Sequence, residues 1–185
     1  NISLTADGGV DASASIDTIS AYATSNANAS VTIGDITIDA TTTEAGGSAS
    51  VDMDYISADA DDNANASVTI GNISLTAEGG VDADASMSTI LATATSNAAA
   101  TVMIGDITID ATATEAGGTA SADMDSISAN AYNNAEASVT IGNISLNATA
   151  NGLGGDANAT MSTITAYATS NAAATVMIGD ITIDA

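Results

Sequence analysis

The chain has 185 residues, of which 23 are acidic, and it contains no lysine, arginine, histidine or cysteine. A net charge of -23 excludes nucleic acid as a partner, and the lack of cysteine excludes disulfides and thiol chemistry. No apolar run approaches the roughly 18 residues of a membrane-spanning helix. Acidic chains with few aromatic residues are often disordered, so the order of the residues must show whether this chain folds.

The first elements of the chain are short runs in which apolar and polar residues alternate. Residues 1–16, NISLTADGGVDASASI, give one run on each side of a glycine pair. Alternation with period 2 predicts β-strands, and the glycines predict a tight bend between them. Residues 17–33 and 34–53 repeat this pattern, and the second stretch has three extra residues in its bend, TTTEAGG. We therefore predict coils of 17 or 20 residues.

The same pattern continues to the end of the chain. Residues 1–71 and 72–142 are two copies of a 71-residue block, and a third, partial copy covers residues 143–185. The blocks divide into about ten coils, and an eleventh begins at Gly179. We predict one repeat array over residues 1–185, taken from a longer repeat region.

Certain positions hold the same residue type in every coil. The third position is always isoleucine: Ile2, Ile19, Ile36, Ile56, Ile73, Ile90, Ile107, Ile127, Ile144, Ile164 and Ile181. The seventh position is always alanine. A disordered chain has no reason to keep such columns. We predict an all-β fold, a two-sheet parallel β-solenoid of about ten to eleven coils with an alanine and isoleucine core, in which Ile36 and Ile56 stack on the same side.

Residue size indicates two facing sheets. The fifth position of the first strand is large in some coils and small in others, as in Leu4 and Ala21. The matching position of the second strand is usually alanine opposite a large residue and valine opposite alanine, as in Ala14 and Val31. Such volume compensation lets two sheets interdigitate without voids.

The carboxylates raise the question of bound cations. With about 4.8 Å per coil, the predicted stack is about 50 Å long and carries roughly one negative charge per 2 Å. In this register Asp17, Asp35 and Asp54 form one column, and Asp39 and Asp59 form a second. Carboxylate oxygens favour Ca²⁺, so these five residues are the candidate metal ligands. The alternative is a solvated acidic edge that keeps the protein soluble.

One stretch is similar to a known calcium motif. Residues 79–84, GGVDAD, resemble the G-G-x-G-x-D nonapeptide repeats of secreted bacterial toxins and adhesins. The fourth position is aspartate instead of glycine, and the motif comes once per two coils instead of every nine residues. We therefore assign no metal ligand from this resemblance.

Asparagines form a further column at one bend: Asn26, Asn63, Asn97, Asn134 and Asn171. Stacked asparagines can hydrogen-bond from one repeat to the next. We predict an asparagine ladder that ties the bends together, not a ligand site.

An outward hydroxyl column suggests an ice-binding face. The predicted column begins Ser3, Ser20, Thr37, Ser57 and Ser74, and Leu91 interrupts it. A uniform threonine face is therefore absent from the predicted register.

Carboxylate pairs such as Asp52 with Asp54 and Asp123 with Asp125 could serve as acid and base. They recur with the repeat, however, and the chain has no histidine, lysine or cysteine to activate a serine or threonine. We expect that the chain is not an enzyme.

The stacked isoleucine and alanine columns, the coil period and the acidic composition resemble the β-solenoid repeat regions of giant prokaryotic cell-surface proteins, such as filamentous adhesins. The resemblance implies an extracellular structural protein without a membrane span, a rigid fibre or stalk that assembles with copies of itself. The alternative is a surface-binding module, either a calcium-dependent adhesin or an ice-binding solenoid.

Overall fold

The computed structural model describes residues 1–25, 27–134, 136–170 and 173–185. These residues form β-strands joined by bends, with no helix among them, and therefore no helix that could cross a membrane. All strand pairs in register are parallel. The prediction of an all-β parallel β-solenoid is confirmed.

The strands form three sheets, which we call A, B and C. Sheet A contains β1 (Ile2–Gly8), β4 (Ile36–Thr42), β7 (Ile73–Gly79), β10 (Ile107–Ala113), β13 (Ile144–Ala150) and β16 (Ile181–Asp184). Sheet B contains the long strands β2 (Asp11–Ala23), β5 (Ser48–Ala60), β8 (Asp82–Thr95), β11 (Thr119–Tyr132) and β14 (Asp156–Ala168). Sheet C contains β3 (Ala29–Ile33), β6 (Ala66–Ile70), β9 (Ala99–Ile104), β12 (Glu136–Ile141) and β15 (Ala173–Ile178).

The register shows that one turn of the solenoid is twice as long as the predicted coil. Ile36 pairs with Ile2 on one side and with Ile73 on the other, so adjacent turns are offset by 34 or 37 residues. Each turn contains one strand of every sheet, and about five turns are present. The predicted coil of 17 or 20 residues is therefore a half-turn, and the predictions of two sheets and ten coils are wrong.

The predicted isoleucine column splits in two. Ile36 lies in sheet A, whereas Ile56 lies in sheet B and pairs with Ile19 and Ile90. The chain does not reverse between the two half-turns of sheet B. Strand β2 passes without a break through Asp17. At the equivalent position of the next half-turn, Gly34, the strand ends and the chain turns a corner. Two half-turns are thus needed to bring the chain back to its starting column.

The turn is flattened. Strands of sheets A and C pack mainly against sheet B, for example β1 and β3 against β2. The lengths agree, because the 13 residues of β2 span the 7 residues of β1 and the 5 residues of β3. Sheet B forms one layer, and sheets A and C together form the other.

A single apolar core lies between the two layers. In β4, Ile36, Ile38 and Ala40 are buried and alternate with partly exposed residues, as period 2 predicts. In sheet B a column of Ile16, Met53, Met87, Met124 and Met161 continues through the turns. Volume compensation applies where predicted: Ala58 and Val68 are both fully buried on the contacting strands β5 and β6.

The extra residues of the longer bends lie where the sequence predicts them. Gly46, Gly117 and Gly154 in these bends have φ of +80°, +75° and +77°. Only glycine adopts these angles without strain, which explains its place in each insertion.

Candidate functional site

Side-chain ladders on the edges of the stack are the main polar features of the molecule. The most regular one lies at the corner between sheets C and A, where a glycine is followed by aspartate or asparagine. Oδ1 of Asn72 accepts the backbone N–H of Asp106 at 2.9 Å, and Oδ1 of Asp106 accepts that of Asn143 at 2.7 Å. The same bond recurs at each corner, so the ladder runs through Asn1, Asp35, Asn72, Asp106, Asn143 and Asp180.

The corner ladder requires glycine at the preceding position. Backbone N–H of Gly105 donates to the carbonyl of Gly71 at 2.9 Å. A Cβ on Gly105 would lie 2.5 Å from Oδ1 of Asn72 and 2.9 Å from the oxygen of Gly71. The close backbone approach and the side-chain acceptor together leave no space for a larger residue.

Aspartate and asparagine alternate strictly along this corner ladder. Adjacent turns are about 4.8 Å apart, so neighbouring aspartates would repel each other strongly. Alternation places the charges of Asp35 and Asp106 two turns apart, with the neutral amide of Asn72 between them. The sequence carried this signal in the residue that follows each glycine, but the predicted half-turn period concealed it.

The predicted asparagine ladder is confirmed for its described members. Nδ2 of Asn97 donates to Oδ1 of Asn63 at 3.2 Å, and Nδ2 of Asn134 donates to Oδ1 of Asn97 at 3.4 Å. These asparagines have φ near +60°, a conformation that asparagine adopts more readily than most residues. Asn26 and Asn171 lie outside the described residues.

Carboxylates and neutral residues also alternate on the strands. In the register pairs of all three sheets, every acidic residue pairs with serine, threonine, asparagine, tyrosine or alanine. Neutral donors from the next turn bind these carboxylates. Ser86 Oγ donates to Asp52 Oδ1 at 2.7 Å, Asn147 Nδ2 donates to Asp110 Oδ1 at 2.6 Å, and Thr160 Oγ1 donates to Asp123 Oδ1. The alternation keeps in-register carboxylates two turns apart, close to the Debye length at physiological salt.

The structure separates most of the predicted metal ligands. Asp39 lies in sheet A between Thr5 and Thr76, whereas Asp59 lies in sheet B between Tyr22 and Thr93. The predicted column of these two aspartates is therefore wrong, because it depended on the half-turn register.

Asp35 is likewise separated from its predicted neighbours, since it belongs to the corner ladder. Asp17 and Asp54 remain together in adjacent turns, in the middle of the continuous strands β2 and β5, between the register pairs Ile16–Met53 and Thr18–Tyr55. No group of three or more acidic residues close enough to hold a metal ion is found among the described residues. Calcium binding itself stays a prediction.

Two ionisable groups on sheet B are perturbed. Burial raises the pKa of Asp84, and the charges of Asp52 and Asp123 raise it further. The serines beside Asp84 in register, Ser50 and Ser121, donate to those two carboxylates instead, at 3.0 and 2.6 Å.

Asp61 connects three turns of sheet B at its edge. Tyr22 OH donates to Asp61 Oδ2, and Thr95 Oγ1 donates to Asp61 Oδ1, both at 2.9 Å. The hydrogen bond to Asp61 and the charge of that carboxylate raise the pKa of the Tyr22 phenol.

The carboxylate pairs considered for catalysis belong to the same alternating pattern. Asp52 accepts hydrogen bonds from Ser50 and Ser86 on the outward side of sheet B. Asp54, two residues further along β5, is exposed. Asp123 repeats the environment of Asp52 two turns away, where it accepts a hydrogen bond from Ser121.

The outward hydroxyl column also changes with the correct register. On sheet A it contains only hydroxyl residues: Ser3, Thr37, Ser74, Thr108, Ser145 and Thr182. Leu91 belongs to sheet B, between Ser57 and Ser128. The interruption predicted for this column is therefore wrong, because it combined residues from opposite layers.

Comparison with known proteins finds no matching family model, no matching curated protein and no matching solved structure.

Proposed function

We propose that this chain is a section of an extracellular structural fibre or stalk, in which each turn is one step along the axis. The observation that carries the proposal is the continuity of the inward columns. In sheet A the column Ile2, Ile36, Ile73, Ile107, Ile144 and Ile181 continues from the first turn to the last. A repeating core of this kind adds length in equal steps without a change of fold.

The polar surface supports the same role. The ladders join each turn to the next through side-chain oxygens and backbone N–H groups, as at Asp35 and Asn72. The alternation of carboxylates with hydroxyls lets a strongly acidic surface exist without basic residues in the chain. The absence of lysine and arginine also leaves trypsin-like proteases no cleavage site, which suits a protein outside the cell.

Antibody labelling tests the proposal. An antibody raised against the 185-residue chain is applied to intact and to permeabilised cells that produce the protein. We expect immunogold on filaments at the surface of intact cells. The filaments should be about 4 nm wide, because the 13 residues of β2 extend about 43 Å across the axis. Labelling that requires permeabilisation would contradict an extracellular role.

A surface-binding module is a second candidate, favoured by the uninterrupted hydroxyl column of sheet A. If this face binds ice, Thr108→Tyr should abolish inhibition of ice growth, because the ring projects from the centre of the column. Ser128→Tyr, on sheet B of the same turn, is the matched control and should leave the inhibition unchanged. Equal activity of both variants and the unmodified chain would exclude sheet A as the binding face.

The surface-binding module could instead be a calcium-dependent adhesin. That form of the proposal depends on Asp17 and Asp54, the two predicted metal ligands that lie in adjacent turns. A chelator at constant ionic strength should lower the melting temperature by several degrees if calcium binds the native state. The variant Asp54→Ser should lose most of that dependence. An unchanged melting temperature of the unmodified chain would reject calcium binding.

A further inference from the structure

Two asparagines of the corner ladder use only their side-chain oxygens. Oδ1 of Asn72 accepts the backbone N–H of Asp106, and Oδ1 of Asn143 accepts that of Asp180, each at 2.9 Å. Nδ2 of both side chains makes no hydrogen bond within the described part of the chain, and both asparagines are exposed. The ladder therefore fixes each side chain through its oxygen and leaves its NH₂ group available at the surface.

The same two asparagines begin the motif Asn-x-Ser, the acceptor sequence for N-linked glycans. The serines of the two motifs are Ser74 and Ser145. Both belong to the outward hydroxyl column of sheet A, whereas Ile73, between Asn72 and Ser74, is buried. Period 2 thus presents the amide and the hydroxyl of each motif on the same side of the strand.

We propose that Asn72 and Asn143 are sites of N-linked glycosylation, at which the corner ladder presents one acceptor amide in every second turn. The inference rests on the proposed extracellular role, because this modification belongs to exported proteins. In the transfer, Nδ2 attacks C1 of a sugar that is joined through a diphosphate to a membrane lipid. The C1–Nδ2 bond forms and the C1–O bond to the diphosphate breaks. The lipid diphosphate leaves, and one amide proton passes to a base of the transferase.

The product keeps the hydrogen bond that joins the turns at this corner. A glycosylated asparagine retains Oδ1 as an acceptor and one N–H, so the backbone N–H of Asp106 still has its partner. The alternation with aspartate also leaves space for the sugars. Acceptors in adjacent turns would be about 4.8 Å apart, whereas Asn72 and Asn143 are about 10 Å apart, with Asp106 between them.

A second motif on the same strand lacks a free amide. Asn147, followed by Ala148 and Thr149, is only half-exposed. Its Nδ2 donates to Asp110 Oδ1 at 2.6 Å and to Ser145 Oγ at 3.2 Å. A glycan on Asn147 would remove one of these two hydrogen bonds. This motif is therefore an internal control for Asn143, which lies four residues earlier in the chain.

The motifs on the other two sheets are also less suitable. Asn28 and Asn65 lie in adjacent turns, where Oδ1 of Asn28 accepts the backbone N–H of Asn65 at 3.1 Å, so glycans on both would crowd each other. Asn65 also lies in a depression that Glu136 lines. In the motif of Asn158, the hydroxyl of Thr160 donates to a carboxylate of the neighbouring turn.

Mass spectrometry of the protein purified from the cells that produce it tests the assignment. Because the chain has no trypsin site, an endoproteinase that cleaves at acidic residues supplies the peptides. Electron-transfer fragmentation leaves the sugar attached and locates the modified residue. We expect sugar on Asn72 and Asn143 and none on Asn147. Equal modification of Asn143 and Asn147 would show that the motif alone selects the site, and would overturn the argument from the ladder.

Ser74→Ala removes one motif and leaves the side chain of Asn72 in the ladder. It should abolish the sugar on Asn72 and leave the sugar on Asn143, whereas Ser74→Thr should keep both. Sugar on Asn72 in Ser74→Ala would contradict recognition of the motif. Absence of sugar from both asparagines in the native protein would reject the inference. If that protein is nevertheless labelled at the surface of intact cells, the fibre role stands, so the two failures are distinguishable.

Discussion

At the scale of single residues, glycine and the residue after it decide where the chain turns between sheets. Gly34, Gly71 and Gly105 occupy corners where the backbone of one turn contacts the corner of the next. The following aspartate or asparagine supplies the oxygen that bonds the next turn. Each corner thus combines a steric requirement with a hydrogen-bond requirement, and both recur once per turn.

Substitution of a corner glycine tests this requirement. Gly105→Ala should lower the free energy of unfolding by about 1–3 kcal/mol, since the new Cβ would overlap Oδ1 of Asn72 and the carbonyl of Gly71. Gly9→Ala is the control, because the nearest group to its Cβ is the flexible side chain of Glu44, and its effect should stay within about 0.5 kcal/mol. Urea titration of both variants measures the difference, and equal effects would contradict the corner argument.

Asp84 makes the stability of the molecule depend on pH. Its pKa is raised in the folded state, so the folded state binds this proton more tightly than the unfolded chain does. The stabilising contribution is complete below the unfolded pKa of about 3.9 and is lost as pH rises through the raised folded pKa. The ionised form of Asp84 is therefore unfavourable near neutral pH.

Asp84→Ser should accordingly raise the melting temperature at pH 7, and the gain should disappear towards pH 3. Asp156→Ser removes one charge from an exposed position at the end of sheet B and serves as the control. Thermal melts between pH 3 and pH 8 give the comparison. A gain for Asp84→Ser that is independent of pH would argue against titration as its cause.

At the scale of strands, the alternation of acidic and neutral residues controls which strands can be neighbours. Like charges directly opposite each other on adjacent strands are destabilising, and this chain avoids them in every register pair. Asp17 and Asp54, which lie between two register pairs of β2 and β5, depart from this alternation. Most strand carboxylates lie on sheet B, where hydroxyls of the next turn bind them. The pattern specifies the register as well as the surface charge.

Placing a carboxylate between two others in such a column tests the rule. Thr119→Asp would stand between Asp82 and Asp156 and should cost about 0.2–1 kcal/mol for each neighbour. Ser126→Asp adds the same charge between Thr89 and Thr163 and should cost less. Melting temperatures are compared at low salt and at 1 M salt, where screening should remove most of the difference. A difference that survives high salt would have to come from packing.

At the scale of the whole molecule, the longer turn changes the shape and the charge density. The six strands of sheet A span about 24 Å along the axis, half of the length that the half-turn register predicts, whereas sheet B is about 43 Å wide. The 23 acidic residues then give roughly one charge per ångström of axis, more than the one per 1.7 Å of duplex DNA. The described turns form a broad slab, and a fibre requires many such slabs in series.

Insertion of repeat units tests the length of the turn. A second copy of residues 72–142, inserted after Gly142, adds two complete turns and should lengthen the particle by about 10 Å and raise its melting temperature. A second copy of residues 88–104, inserted after Ile104, adds only a half-turn and should destabilise the fold, because strands of sheet A would then fall in the wrong layer. Small-angle scattering and thermal melts measure both. Equal tolerance of the two insertions would favour the shorter coil.

The sequence by itself determined the strands, the bends, the inward residues, the parallel stacking and the asparagine ladder, because alternation and bend composition are local properties of the chain. It did not determine which half-turns stack. Both half-turns have the same period-2 pattern and the same isoleucine, so hydrophobic patterning does not distinguish them, and the glycine that begins only one of them does not by itself show that the chain reverses there. Only the tertiary structure shows that the chain passes straight through Asp17 and Asp54 but turns at Gly34 and Gly71. Because the chain turns at only one of these two positions, the strands form three sheets and the predicted metal ligands lie apart. The alternation of acidic and neutral residues is visible only in this register.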